Sequence, residues 1–321
     1  MLKKRIFSLL KIVVSVGLLA WVITTLGWQN MFAALVGADL RWVAVAAFFY
    51  VLGVLVRGVR WNLLLRSLKT RPVGIVRLAA LYFVSFFFNV FLPTGVGGDA
   101  VRIAQMGQAV GPGAASSVIV DRGIGIVATC LVALVALPFS EAPASFNEPL
   151  AVAAGVAVVG FALAFWLAAT RAVAVFDWLG RALPFLRRLT GNEKLREAVL
   201  AFSLYRPLDL ALSLGVSLIF TITNTLVYVA LGYAAHVDLS ISHYLLAGPV
   251  LALVLLIPFA LNGVGTRDLA YQGVFSAVGV PALNIETMSL GYHILNLLAA
   301  VTGGILYAAI GTSEIFSKTE E

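Results

Sequence analysis

The sequence predicts an all-α polytopic membrane protein, with six spanning helices and two re-entrant broken-helix hairpins arranged as an inverted repeat. Of 321 residues, 61% are hydrophobic and 12% are charged, whereas soluble domains carry roughly 25% charged residues. Several apolar runs reach the roughly 20 residues that cross a bilayer as a helix. Two shorter runs end in stretches rich in Pro and Gly, which predicts helices broken inside the membrane.

Charge and cysteine content narrow the function classes. The net charge is +7, but the basic residues flank apolar runs, which indicates membrane orientation and anionic lipid rather than nucleic acid. Cys130 is the single cysteine and lies in an apolar run, which excludes a disulfide and a Cys-rich metal site. The sequence contains no Walker loop and no H-E-x-x-H motif, so we expect neither a cofactor nor a metal.

The first half of the predicted repeat is residues 1–140. Its spans are predicted at residues 6–26, 42–65 and 115–137. Residues 6–26 follow a basic N-terminus without a small-x-small cleavage site, which favours a retained span over a secretory signal. Residues 78–92 form a run of about 15 residues, or about 22 Å of helix, shorter than the roughly 30 Å hydrocarbon layer. With the break at residues 93–98, this run predicts a hairpin that returns to the side it entered.

The second half is residues 141–321. Its spans are predicted at residues 150–170, 208–234 and 287–310. The short run at residues 244–257 and the break at residues 257–268 predict the second hairpin. Residues 171–206 form the longest polar connection and are rich in Lys and Arg, so we expect them to lie along anionic headgroups.

Loop charges set the predicted orientation. Basic residues in the N-terminus, residues 57–77 and residues 171–206 place these segments and both termini in the cytoplasm, with the protein in the inner membrane. The second half then begins on the side opposite to the first, so its hairpin enters from the opposite face. Alternating-access transporters have this inverted repeat. The alternative is an eight-span bundle in which both hairpins cross fully.

Ionisable residues in membrane segments cost about 2.5–3.5 kcal/mol each to insert, so each needs a partner or a function. Six are candidates: Asp99, Arg102, Asp121, Arg122, Arg267 and Asp268. At each break glycines precede a new helix, whose N-terminus presents free N–H groups and a positive dipole end. An arginine side chain at the break can bind a phosphate through two parallel hydrogen bonds. Glycine has no side chain and lets a headgroup approach the backbone closely. The predicted anion-binding residues are Arg102, Arg122, Arg267, Gly97, Gly98, Gly263 and Gly265.

A second account of the same charges is open. Asp99 with Arg102, and Arg267 with Asp268, can neutralise one another and hold the breaks in shape. Asp99 is also a candidate N-cap. Because adjacent helical residues point about 100° apart, we expect one of Asp121 and Arg122 to meet the first hairpin, with Asp121 as a counter-ion.

Further polar residues have supporting roles in these predictions. Arg57 and Arg60 share a helix face and either snorkel to the interface or form an entry site for an anionic headgroup. Asn89 and Asn262 are predicted to satisfy backbone groups freed at the breaks. His293 is either a buried, hydrogen-bonded histidine or a proton-coupling residue.

Four motifs carry a resemblance to a known family. They are Arg60-Trp61, Asn89 with Leu92-Pro93-x-Gly95-x-Gly97-Gly98-Asp99-x-x-Arg102, Asp121-Arg122-x-x-Gly125, and Asn262-Gly263-x-Gly265-x-Arg267. Over residues 5–312 the chain resembles the lysylphosphatidylglycerol synthetase/flippase transmembrane family. Many relatives end the last motif with Arg-Glu, where this chain has Asp268 with a shorter reach.

The resemblance implies movement of lipids between leaflets. Some relatives carry a soluble aminoacyl-transferase domain that makes lysylphosphatidylglycerol, and we expect that domain to be absent here. The leading hypothesis is a flippase, not an enzyme, for an anionic phospholipid such as phosphatidylglycerol or for a polyprenyl-phosphate-linked lipid. The alternatives are a membrane-embedded aminoacyl- or glycosyl-transferase and an accessory subunit of a separate lipid synthase.

Overall fold

The computed structural model describes residues 37–68, 73–91, 97–140, 142–183, 190–254 and 266–317. The first predicted span and most of both breaks lie outside these ranges. The helices are α1 (Leu40–Ser67), α2 (Ile75–Phe91), α3 (Gly97–Val110), α4 (Gly113–Ala136), α5 (Ala144–Ala182), α6 (Glu193–Leu200), α7 (Pro207–Ala234), α8 (Ile241–Val254), α9 (Thr266–Ser276) and α10 (Ala282–Ser317). Two 3₁₀ turns, Leu137–Phe139 and Ala201–Leu204, complete the regular structure of the described ranges.

Five described helices are long and apolar enough to cross a membrane, namely α1, α4, α5, α7 and α10. They confirm an all-helical membrane protein and match the predicted spans from residue 42 onward. The described parts of the two short apolar runs are helical, with 17 residues in α2 and 14 in α8, and both helices reach the edge of a described range. At 1.5 Å per residue these are about 25 Å and 21 Å long, less than the hydrocarbon thickness.

Helix α5 corrects one predicted boundary. It begins at Ala144 and continues to Ala182, so the first part of the connection 171–206 is helix rather than an irregular polar segment. Residues 172–176 are Ala, Val and Phe, which keep the helix apolar and unbroken past Arg171. Its 39 residues extend about 58 Å, well beyond one hydrocarbon layer.

Helices α1 and α7 form the centre of the bundle and run antiparallel. At one end the amide of Asp39 donates to the carbonyl of Ala234 at 3.0 Å. At the other, Ser67 Oγ donates to Asp209 Oδ2 at 2.8 Å. We call these the Ala234 end and the Ser67 end of the bundle. Ser213 of α7 is fully buried, consistent with the small residues that let membrane helices approach closely.

The two short helix pairs meet this centre at opposite ends. Asn62 of α1 donates to the carbonyl of Val73, just before α2, at 2.7 Å, and Val110 at the end of α3 packs in the same apolar cluster as Leu68. The α2–α3 pair therefore begins and finishes at the Ser67 end.

The α8–α9 pair has the opposite placement. Tyr244 of α8 donates to the carbonyl of Val237 at 3.1 Å, and Asn284, after α9, donates to Ala235 at 2.7 Å. Phe275 of α9 packs against Tyr244, with ring centroids 5.7 Å apart. This pair begins and finishes at the Ala234 end, so the two pairs extend into the bundle from opposite directions.

Glycine permits the closest approach within the first pair. A Cβ at Gly98 would overlap the carbonyl oxygen of Ser85 and lie 2.8 Å from the amide atoms of Asn89. The start of α3 therefore lies directly on α2, and any larger residue separates the two helices.

Replacing Gly98 by Ala is expected to destabilise the protein by about 1–3 kcal/mol, because the added methyl group meets backbone that has no room to move. Thermal unfolding of the purified protein in detergent measures the change. Gly107→Ala is the matched control, since it lies in the same helix with nothing within 4 Å of the added Cβ. Equal melting temperatures for the two variants would contradict the close α2–α3 contact.

Candidate functional site

A cavity with a volume of about 290 Å³ lies where the two helix pairs approach each other. Its charged lining residues are Arg57, Arg60, Asp99, Arg102, Asp121, Arg122 and Arg267. Five arginines against two aspartates leave three formal positive charges in the described lining. Anion-binding residues predicted in both halves of the chain, Arg102, Arg122 and Arg267, thus line the same cavity.

Five of these residues form a chain of alternating charge, which we call the charge ladder: Arg60, Asp121, Arg102, Asp99 and Arg122. Arg60 Nε lies 2.7 Å from Asp121 Oδ1, and Arg102 Nη2 lies 2.9 Å from Asp121 Oδ2. Arg102 Nη1 lies 3.4 Å from Asp99 Oδ1, and Arg122 Nε lies 2.9 Å from Asp99 Oδ2. The ladder joins α1, α3 and α4.

Asp121 is the centre of the ladder. Besides two arginines it accepts a hydrogen bond from the hydroxyl of Tyr82 at 2.6 Å, and its side chain is 2% exposed. Arg60 also donates to Ser217 Oγ of α7 at 3.2 Å. A carboxylate this buried is stable only when paired and hydrogen-bonded, and Asp121 meets both conditions. Its predicted role as a counter-ion agrees with this geometry.

Arg102 also contacts two aromatic rings. Its Cζ lies 4.1 Å from the ring centroids of both Trp61 and Tyr82, which meet each other edge-on at 5.8 Å, so the guanidinium lies in the corner between the two rings. Arg102 Nε is buried without a hydrogen-bond partner in the described structure. Of the two accounts given for Asp99 and Arg102, mutual neutralisation agrees with the observed pair, although the ladder extends beyond it.

Two expectations about the first hairpin are corrected. Both Asp121 and Arg122 contact α3: Asp121 pairs with Arg102, and Arg122 pairs with Asp99. This is possible because Arg102 and Asp99 lie in the two different directions in which Asp121 and Arg122 point. Asp99 lies inside the first turn of α3, not at its N-cap. The first-turn amide of Gly98 instead donates to Asn89 Oδ1 at 2.7 Å, a contact of the kind predicted for Asn89.

The glycines and Arg60 also differ from prediction. The Cβ position of Gly98 faces α2, so this glycine serves helix packing instead of headgroup approach, and Gly97 is buried. Gly263, Gly265 and Asn262 lie outside the described residues. Arg60 is buried in the ladder and Arg57 is half-buried and lines the cavity; the buried ion pair of Arg60 does not fit snorkelling, whereas for Arg57 both accounts stay predictions.

The second half contributes Arg267 within a group of tyrosines. Arg267 Cζ lies 4.3 Å from the ring centroid of Tyr292, and Tyr292 stacks on Tyr228 at 5.6 Å. Tyr50 meets Tyr292 edge-on at 5.9 Å. In the described part of the chain Arg267 has no carboxylate within salt-bridge distance, and its Nε has no hydrogen-bond partner.

Asp268 points away from Arg267. Its carboxylate binds His293 Nε2 at 3.0 Å and accepts a hydrogen bond from Ser289. The predicted Arg267–Asp268 neutralisation is therefore replaced by a link between α9 and α10. His293 is buried and hydrogen-bonded, and a role in proton coupling stays a prediction.

Sequence reasoning missed several lining residues, including Tyr82, Phe220, Thr221, Asn224 and Tyr228. One signal was present in α7, where Asp209, Ser213, Ser217 and Thr221 recur every four residues and so share one helix face. Tyr82 carries no comparable signal, because an isolated tyrosine in an apolar run is common. No group of three or more His, Cys, Asp or Glu with metal-ligand geometry occurs in the described ranges.

Similarity to known proteins identifies the family of the chain. The family model described as lysylphosphatidylglycerol synthase TM region matches residues 8–304. The chain belongs to this family. A UPF0104 membrane protein of Pyrococcus horikoshii is 27% identical over 131 residues, covering 39% of this chain and 38% of that relative. The chain thus matches less than two-fifths of the relative's length. No solved structure matches the chain.

Family membership agrees with the resemblance drawn from the four motifs and supports a lipid-related membrane protein. The motif residues within the described ranges are not scattered. Arg60, Arg102, Asp121 and Arg122 form the charge ladder, and a Cβ at Gly125 would lie 2.9 Å from Arg60 Nη1. The spacing of these motifs therefore reflects one connected set of contacts.

Asp121→Asn is expected to destabilise the protein by about 3–5 kcal/mol, because it leaves Arg60 and Arg102 buried next to each other without their shared carboxylate. Thermal unfolding in detergent and the yield of monodisperse protein measure the loss. The control is Asp177→Asn, which removes a half-exposed pair with Arg196 at 3.2 Å and is expected to change stability by about 0–1 kcal/mol. Similar losses for both would contradict the central role of Asp121.

Proposed function

We propose that this protein moves the phosphate-bearing headgroup of an anionic or polyprenyl-phosphate-linked lipid between the leaflets of the inner membrane. The observation that carries the proposal is the cavity, which combines Arg102 and Arg122 of the first half with Arg267 of the second. Arginine binds phosphate through charge-assisted, bidentate hydrogen bonds. The headgroup occupies this polar cavity while the acyl or prenyl tails stay in the bilayer.

The proposed architecture is an inverted repeat of residues 1–140 and 141–321, with α2–α3 and α8–α9 as re-entrant hairpins. Helices α1 and α7 are the corresponding second spans, and their antiparallel course supports the inversion. The other interfaces correspond in pairs: α2 packs on α10 as α8 packs on α4, and α3 packs on α4 as α9 packs on α10.

This architecture supports alternating access. In transporters with inverted repeats, rocking of one half against the other exposes a fixed site first to one side and then to the other. The described helices of both pairs line one cavity, so a headgroup bound there contacts both halves. The proposal describes transport, and a transferase or a synthase subunit predicts no lipid movement by this protein alone.

The topology is tested by cysteine labelling in a Cys130→Ala background. The re-entrant arrangement predicts that Arg66→Cys and Gln108→Cys react with a membrane-impermeant maleimide from the same side, and Asp238→Cys from the opposite side. All three positions are exposed. Labelling of Gln108→Cys from the Asp238→Cys side would favour the eight-span bundle, and the Arg66 and Asp238 variants serve as markers of the two ends.

Transport is tested in liposomes that contain only this protein and a trace of fluorescent phosphatidylglycerol or polyprenyl phosphate. The wild-type protein is expected to make labelled lipid accessible in the opposite leaflet. Arg267→Gln is expected to slow this movement at least about tenfold, the loss of one charge-assisted hydrogen bond. Arg181→Gln, an exposed position on α5, is the control and is expected to move lipid at the wild-type rate.

The proposal fails if folded wild-type protein moves neither lipid. Wild-type rates in Arg267→Gln would remove Arg267 from the site while leaving transport intact. The two results are therefore distinguishable.

A further inference from the structure

We propose that Arg57 and Arg267 form a two-arginine clamp for phosphate, and that this clamp restricts the cavity to headgroups with net negative charge, excluding headgroups that carry an amine. The inference rests on the proposed function and names the substrate class of that same cavity. It changes the assignment made from the sequence, in which Arg102 and Arg122 were anion ligands and Arg57 had a supporting role.

The five lining arginines are of two kinds. Arg60, Arg102 and Arg122 share the two lining carboxylates, Asp99 and Asp121, and are held by the charge ladder. Arg57 and Arg267 make no salt bridge with any carboxylate in the described part of the chain. Most of the surplus positive charge in the cavity therefore belongs to these two residues.

The guanidinium group of each clamp arginine lies over an aromatic ring. Arg57 Cζ lies 4.2 Å from the ring centroid of Phe220, and Arg267 Cζ lies 4.3 Å from that of Tyr292. Contact with an aromatic ring holds a guanidinium in place without using all five of its N–H donors. The Nε of Arg267 is buried without a partner among the described residues, so a phosphate oxygen placed there satisfies a donor that is otherwise desolvated.

The two arginines come from different halves and face a common space. Arg57 belongs to the central helix α1 and Arg267 to the first turn of α9. Both arginines line the same cavity, together with Tyr228 and Tyr292. One phosphate bound by both therefore connects the second hairpin to the centre of the bundle.

The carboxylates determine what is excluded. Each lining aspartate already binds two arginines, and Asp268 binds His293 and Ser289. The sequence of the two breaks, residues 92–96 and 255–265, contains neither Asp nor Glu. A headgroup ammonium thus meets surplus positive charge and no uncommitted lining carboxylate among the described residues, and such like-charge juxtaposition discriminates strongly between ligands.

The test compares four acyl-labelled lipids in liposomes with the wild-type protein: phosphatidylglycerol, phosphatidic acid, phosphatidylethanolamine and lysylphosphatidylglycerol. The first two carry net negative charge and are expected to cross at least about tenfold faster than the two amine-bearing lipids. Equal rates for all four, or faster movement of lysylphosphatidylglycerol, would overturn the charge selection while leaving transport standing. Movement of none of the four would overturn this inference, and the proposed function fails as well only when polyprenyl phosphate does not move either.

Variants of the clamp give a second readout. Arg57→Gln is expected to slow phosphatidylglycerol about tenfold, whereas the exposed Arg181→Gln keeps the wild-type rate and selectivity. Arg57→Glu supplies a carboxylate and is expected to reduce the preference for phosphatidylglycerol over lysylphosphatidylglycerol. Wild-type rate and selectivity in both Arg57 variants would overturn the assignment of Arg57.

Binding in detergent separates a lipid headgroup from a free anion. Phosphatidylglycerol is expected to raise the melting temperature of the wild-type protein more than inorganic phosphate or phosphatidylethanolamine at equal concentration. The rise is expected to shrink in folded Arg57→Gln. An equal shift with inorganic phosphate would identify a site for the free anion and overturn the lipid assignment.

Discussion

The structure depends on the neutralisation of buried charge around Asp121. A single carboxylate receives Arg60, Arg102 and the hydroxyl of Tyr82, and thereby joins α1, α2, α3 and α4. In a low-dielectric interior the attraction between these groups offsets desolvation only when geometry and hydrogen bonding are both good. The α2–α3 pair is therefore held in position by contacts that tolerate little displacement, and the same residues line the cavity.

Close helix contact supplies the other half of this constraint. Gly98 brings the start of α3 onto α2, and Asn89 satisfies the amide that the break leaves free. A Cβ at Gly303 of α10 would overlap the carbonyl of Phe83, so α2 is also fixed against the last span. Unsatisfied backbone groups are costly in lipid, and the first hairpin is built so that its described helix start is buried and hydrogen-bonded.

Much of this architecture was accessible from the sequence, and the reasons for the failures are physical. Length and apolar content predicted α1, α4, α7 and α10 closely, since helices in lipid must satisfy their own backbone. Pairing between charges was accessible only within one helical turn, as for Asp99 and Arg102. The sequence placed Asp99 next to Arg102 and Arg267 next to Asp268, but only packing shows that Asp121 is shared and that Asp268 turns to His293. Neighbours in sequence are poor guides to partners when two hairpins meet across a bundle.

The surplus of positive charge links stability to binding. Arginines held within a cavity raise one another's free energy, and that free energy is lowered when an anion enters. The three arginines and two aspartates of the ladder leave a net charge of only +1. Arg57 and Arg267, stacked on Phe220 and Tyr292, have their charge uncompensated by carboxylates of the described chain. The cavity thus combines a largely neutralised ladder, which fixes α3 against α1 and α4, with two arginines whose charge the proposed lipid phosphate would compensate.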